Sequence, residues 1–248
     1  MPLNCLTVMV KLLISIKEPG EVLDAIEGGA DIIDVKNTEH GSLGLPSLST
    51  AREVALKIGR LREKSAPLGD VDHYDESLAY IAYVLSELGY DYVKVGIKTN
   101  LREEAIKIAN DVTSAVSHNV RVVLVGYADF QKFNTLSPLD IIDIAHYVNA
   151  SGVMIDTLGK GGYSTFDILT PQYLSSFVNK ARQYGLFTAL AGGLRIEHIS
   201  MAVHLGFDVI GVRTAACQGG RNGRVRRDLV MELKRKILEV EKSNLGSY

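Results

Sequence analysis

Two lysines stand at the ends of apolar runs in this 248-residue chain, and each run reads as a buried parallel strand. The first is Gly29-Ala30-Asp31-Ile32-Ile33-Asp34-Val35-Lys36, the second Asp91-Tyr92-Val93-Lys94-Val95-Gly96. Side chains alternate along a strand, so Asp34 and Lys36 face the same way. Burying an ammonium this deep is costly unless it is paired or used. A lysine attacks a carbonyl only when neutral, and its reference pKa of about 10.4 must fall by about three units to reach the working range. Desolvation and a neighbouring ammonium both push it that way, and Lys94 is a natural source of that second charge for Lys36. Asp34 and Asp156 are then candidates for moving protons or holding the charged partner. One Asp-Lys pair at a strand end is as often a structural ion pair as a functional one; two lysines and two aspartates at equivalent places favour function.

Such residues need a scaffold that brings several strand ends together. Strand-like runs occur at Leu12-Ile16, Ala30-Lys36, Ala66-Val71, Asp91-Ile97, Val120-Tyr127, Gly152-Thr157, Phe187-Gly192 and Asp208-Arg213, separated by segments of helical periodicity. Eight strand–helix units in this length predict a single (β/α)8 TIM barrel over residues 1–248, with residues 1–10 as a lead-in. No Gly-x-Gly-x-x-Gly turn follows the first strand, which argues against an open dinucleotide-binding sheet. Three helix ends repeat Gly-x-Asp before a strand: Gly29-Ala30-Asp31, Gly89-Tyr90-Asp91 and Gly206-Phe207-Asp208. The third strand is irregular in pattern, because Pro67 lies inside it.

In a barrel the C-terminal strand ends share one mouth. There the chain places Asp34, Lys36, Asp70, Lys94, Asp129, Asp156 with Lys160, and Arg213. Lys160, in a glycine-rich loop, reads by default as solvated, and Asp70 and Asp129 as loop or cap residues. After strands seven and eight, Gly192-Gly193 and Arg213-Thr214-Ala215 have the character of a barrel phosphate site, since glycines let backbone N–H groups approach an anion. Small residues that merely allow tight turns give the same pattern, and Arg213 could equally pair with an acidic neighbour. The basic run Gln218 to Arg227 contains no aromatic residue, so a solvated loop or a second phosphate contact is preferred to a nucleic-acid patch.

A formal net charge of -2 gives no argument for nucleic acid or an anionic membrane as partner. Cys5 and Cys217 are far apart and describe neither a disulfide framework nor a zinc site, and the six histidines form no ligand motif. Cys217 reads as a small buried residue. A cytoplasmic protein acting on a small molecule is the simplest expectation, with a homo-oligomer plausible from apolar surface on the outer helices.

Several motifs together carry a resemblance. Gly28 to Asn37 followed by Gly41-Ser42-Leu43-Gly44, then Tyr92 to Gly96, Gly126-Tyr127-Ala128-Asp129, Asp156-Thr157 with Lys160, and Gly211-Val212-Arg213 with Ala215-Ala216-Cys217 resemble the (5-formylfuran-3-yl)methyl phosphate synthase family from about Leu12 to Leu233. The resemblance implies a (β/α)8 lyase that condenses two glyceraldehyde 3-phosphate molecules, losing phosphate and water, in methanofuran biosynthesis. It implies no metal and no organic cofactor. It also implies that Lys36 carries a Schiff base, that Lys94 transfers protons, and that Asp34, Asp156 and Lys160 support them. A Schiff-base aldolase acting on another sugar phosphate is the nearest alternative; a non-catalytic sugar-phosphate-binding barrel is the alternative of another class.

Overall fold

A computed structural model describes residues 9–245. Most of the lead-in expected over residues 1–10 lies outside the described residues, as does Cys5. Eight parallel strands close into a barrel in sequential order: β1 (Lys11–Ile16), β2 (Ile32–Val35), β3 (Glu63–Val71), β4 (Tyr92–Ile97), β5 (Arg121–Tyr127), β6 (Gly152–Asp156), β7 (Phe187–Leu190) and β8 (Val209–Val212). The ring is shut by β1 pairing with β8, Lys11 opposite Val209 and Ile14 opposite Val212. Helices fill every crossover, the longer ones being Leu48–Ile58, Ser77–Glu87, Arg102–Ala115, Pro138–Tyr147 and Pro171–Gln183, and Arg227–Leu245 completes the outer ring. Beyond β8 the chain makes a small antiparallel hairpin, β9 (Cys217–Gln218) and β10 (Arg224–Val225). No helix among the described residues is long and apolar enough to cross a membrane.

The alternation read from sequence sorts the side chains into two cores. Leu12, Ile14, Ile33, Val35, Val93, Val95, Val153 and Ile155 point outward and pack under the helices. Their neighbours Leu13, Ile32, Tyr92, Val123, Met154, Ala189 and Val209 point inward and fill the barrel. Two residues further along β2, β4 and β6, the same inward rows continue as Asp34, Lys94 and Asp156. The inward row that is apolar at mid-barrel therefore becomes charged at the mouth.

The Gly-x-Asp repeat has a physical role at both of its ends. Gly29, Gly89 and Gly206 hold φ of +94°, +78° and +84°, the left-handed turn that ends each helix. The aspartate then accepts a backbone N–H from the adjacent strand: Asp31 from Leu12, Asp91 from Lys64 and Asp208 from Thr188, each at 2.7 Å. Asn149 makes the same left-handed turn before β6. Strand β3 begins at Glu63, three residues before the expected Ala66, and shifts register between Pro67 and Asp70. Pro67 is tolerated because β2 stops pairing at Ser65, so the missing N–H breaks no bond on that side.

Candidate active site

The C-terminal mouth encloses a cavity of about 240 Å³. Lys36, Lys94 and Asp156 line it, with 5%, 2% and 3% of their surface exposed. Asp34 is fully buried behind them, where Lys94 Nζ lies 2.7 Å from its Oδ1 and the Ser15 hydroxyl donates to its Oδ2 at 2.9 Å. The Lys94–Asp34 contact is short but misaligned for a hydrogen bond, so attraction between the charges holds it. Lys160 reaches in from the loop after β6. Its Nζ donates to Ser42 Oγ at 2.8 Å and to the Thr157 carbonyl, and stands 3.4 Å from Asp156 Oδ1. The default reading of Lys160 as a solvated loop residue gives way to this geometry.

Burial dominates the electrostatics of Lys36. Desolvation pushes its ammonium down, the carboxylates of Asp156 and Asp34 pull it part of the way back, and Lys94 and Lys160 push it down again, leaving it at about 8. Burial alone would raise Asp156, but Lys160, Lys36, the Thr157 N–H and Lys94 outweigh that cost and hold it at about 2. The mouth thus joins a lysine brought within reach of neutrality to a carboxylate that stays ionised.

A hub to which the sequence reading gave no role is Ser42, fully buried in the loop after β2. Its carbonyl accepts from Lys36 Nζ at 3.2 Å, its hydroxyl accepts from Lys160, and its N–H donates to Asp70 at 2.7 Å. Asp70 also takes the Leu43 N–H and the Tyr127 hydroxyl. Asp129 does the same for the loop after β6, accepting from Leu158 N, Gly159 N and the Tyr163 hydroxyl, each at 2.8 Å. Both aspartates clamp the loops that carry site residues, in keeping with their reading as loop residues. Gly41-Ser42-Leu43-Gly44 was the available signal, because a short segment bounded by glycines sits where backbone comes close to other groups. Gly44 confirms the crowding: a Cβ there would lie 2.2 Å from the Asn37 carbonyl oxygen.

The residues assigned to phosphate binding divide. Gly192 and Gly193 line the cavity with φ of +89° and +61°, and the segment Tyr163–Thr165 crosses so near that a Cβ would meet Thr165 Oγ1 at 2.5 Å and the Tyr163 carbonyl at 2.3 Å. Thr214 also lines the cavity, whereas the Ala215 side chain packs against the outer core. Arg213 takes the other of its two possible roles. It forms a buried two-pronged ion pair with Glu21 at 2.8 and 3.1 Å, and its remaining donors go to the carbonyls of Ser15, Arg221 and Gly223. All five N–H groups are then used, which leaves none for a phosphate. Glu21 precedes its partner by 192 positions and carried no sequence signal. Cys217 is buried and its thiol is pushed up to about 11 by that burial, which suits a packing residue. Among the described residues no three His, Cys, Asp or Glu side chains group as metal ligands would.

A closed eight-stranded barrel whose C-terminal mouth gathers buried lysines and carboxylates has the architecture of a (β/α)8-barrel enzyme. Among solved structures, 3-hexulose-6-phosphate synthase from Salmonella typhimurium superposes with a TM-score of 0.64 at 17% identity, over 93% of this chain and 100% of that one, a likeness of fold alone. The sequence comparisons go further. The family model for 4-HFC-P synthase matches residues 12–234. The (5-formylfuran-3-yl)methyl phosphate synthase of Methanopyrus kandleri is 39% identical over 229 residues, and that of Methanothermobacter thermautotrophicus 41% over 228. Each alignment covers 90% of this chain and 97% of the relative. The chain belongs to the 4-HFC-P synthase family.

Proposed function

We propose that this enzyme condenses two molecules of glyceraldehyde 3-phosphate to (5-formylfuran-3-yl)methyl phosphate through a Schiff base on Lys36, as a step of methanofuran biosynthesis. The observation that carries the reading is Lys36 itself, a buried lysine at about 8 that opens onto the cavity beside an ionised carboxylate. Its neutral amine adds to the aldehyde carbon of one triose phosphate, and loss of water from the adduct gives an imine. The imine acidifies the neighbouring carbon, so removal of a proton there yields an enamine that attacks the aldehyde of the second molecule. Atom balance between two three-carbon phosphates and the six-carbon furan requires release of one phosphate and two waters.

The pairs around Lys36 suit this sequence of proton transfers. Lys94, held 2.7 Å from Asp34, is a candidate proton donor with a carboxylate in contact to take up its charge. Asp156, held at about 2, stays ionised and offsets the positive charge of a protonated imine. Lys160 keeps that carboxylate ionised and directs it from the rim.

The test is incubation of the purified protein with glyceraldehyde 3-phosphate alone, following absorbance of a conjugated furan aldehyde together with released phosphate. Both rise in step and both vanish in Lys36→Arg, which keeps the charge but cannot form an imine. Phosphate-dependent binding without either product would reject the synthase reading. Reversible cleavage of a larger sugar phosphate, with no aromatic product, would put an aldolase in its place.

A further inference from the structure

The cations that line the mouth have an unequal distribution of partners. Lys94 is paired with Asp34, Lys160 with Asp156, Arg213 with Glu21 and Arg195 with Glu197. Lys36 and Arg221 are the two lining cations with no carboxylate within ion-pair distance among the described residues. Lys36 can shed its proton, but a guanidinium cannot. Arg221 is half-buried, in the turn of the β9–β10 hairpin, and only its Nη2 is engaged, with the carbonyls of Gly41 at 2.8 Å and Thr38 at 3.5 Å. A partly desolvated, permanently charged fork with free donors and no counter-ion is complementary to an anion that arrives with the ligand.

The hairpin that presents Arg221 is held in place from inside the barrel. Arg213 Nε donates to the Arg221 carbonyl at 3.1 Å and Nη2 to that of Gly223 at 2.7 Å, while Lys17 Nζ grips the Asn222 carbonyl at 2.7 Å. Glu21, buried beneath, accepts from Arg213 and from the Val225 N–H at 3.0 Å, so one carboxylate ties the barrel to both the arginine and the hairpin. At the other side, Gly41 adjoins Ser42, whose carbonyl and hydroxyl receive Lys36 and Lys160. The Arg221 guanidinium therefore rests against the short loop that follows Lys36, the lysine at which bonds would form. The negative charges it feels across the mouth come from Asp156 and Asp70, and Arg213 opposes them. Both carboxylates are already occupied, Asp156 by Lys160 and Thr157 N, and Asp70 by Ser42, Leu43 and Tyr127.

We infer that Arg221 is the guanidinium that receives the phosphoryl group of the substrate, and that Arg213 is a positioning residue which fixes the hairpin carrying it. The triose phosphate as ligand rests on the function proposed above; the anion site does not. The discriminating measurement is calorimetric titration of inorganic phosphate into the wild-type protein, Arg221→Gln and Arg221→Lys at neutral pH, with unfolding curves to confirm that each is folded. Loss of charged hydrogen bonds predicts roughly 10- to 100-fold weaker phosphate binding in Arg221→Gln and partial recovery in Arg221→Lys. Borohydride trapping of unphosphorylated glyceraldehyde on Lys36 should be unchanged in Arg221→Gln, while KM for glyceraldehyde 3-phosphate rises by a similar factor. Equal phosphate affinity in wild type and Arg221→Gln, or no binding by either, overturns the assignment. So does an equal loss of glyceraldehyde trapping, since that would make Arg221 a prop for the mouth. A wild-type protein that binds phosphate through Arg221 but traps no aldehyde refutes the Schiff-base reading and leaves the anion site standing.

Discussion

Replacing Lys36 with methionine should make the protein more stable at neutral pH while abolishing any imine chemistry. Lys36 falls from its ordinary 10.5 to about 8 in the folded protein. At about 1.4 kcal/mol for each pH unit, that drop means that folding with the ammonium charged costs about 3 kcal/mol. Methionine has a comparable length and enough flexibility to fill the same space. It cannot donate to the Ser42 carbonyl, now 3.2 Å from Nζ, and losing that bond takes back about 1 kcal/mol. The expected net gain is about 2 kcal/mol, or roughly 4–8 °C in melting temperature for a chain of this size.

The sign of the pH dependence separates this origin from a simple packing gain. Below pH 8 Lys36 is protonated in both folded and unfolded chains, and the full penalty is present. Between pH 8 and 10.5 the unfolded chain binds more protons, so wild-type stability rises with pH relative to the variant. Above 10.5 both states are neutral and the penalty is gone. Urea unfolding of both proteins at pH 7 and pH 10 reads the difference directly. A variant no more stable than wild type at pH 7, or an advantage that stays constant to pH 10, would refute the claim that a desolvated ammonium sits in this mouth.

Other substitutions test the rest of the scaffold. Glu21→Gln leaves the buried Arg213 guanidinium without its counter-ion and should cost about 3–5 kcal/mol in denaturant unfolding; a loss below about 1 kcal/mol would mean that the pair does not hold the hairpin base. Gly96→Ala places a Cβ 2.0 Å from the Tyr127 hydroxyl oxygen and 2.8 Å from Leu43, so it should break the Tyr127–Asp70 bond and cost about 1–3 kcal/mol, with wild-type stability as the contrary result. Asp156 drops from 3.8 to about 2 on folding, so its carboxylate adds about 2 kcal/mol at neutral pH, lost as pH falls from about 4 to 2. Asp156→Asn should show that deficit at pH 7 and converge with wild type in acid, and a deficit independent of pH would argue against the ion pairs.

What could be seen in the sequence was whatever is written in a local period. Strand–helix alternation follows from apolar spacing, and Lys36 and Lys94 stood out because a charge in an apolar strand violates the pattern that surrounds it. The three Gly-x-Asp turns were visible as helix ends, but the acceptor role of each aspartate depends on which strand lies alongside, and that is a property of barrel closure. The early start of β3 was hidden because Glu63 and Lys64 break the apolar run. Pairing with β2 sets that boundary, not residue type.

The residues assigned to phosphate binding show the limit most clearly, and they show why it exists. Arg213 and Arg221 are both arginines in the segment that follows β8, and spacing alone favours the one nearer the strand end. What separates them is a carboxylate 192 positions upstream of Arg213, which reaches it only when β1 and β8 close the ring. An arginine satisfied from below can only position; one satisfied by two carbonyls, with donors left over, can bind. The role of a charged residue at a barrel mouth is therefore decided by its remaining hydrogen-bonding capacity after folding. That quantity belongs to the tertiary structure, and no reading of spacing along the chain contains it.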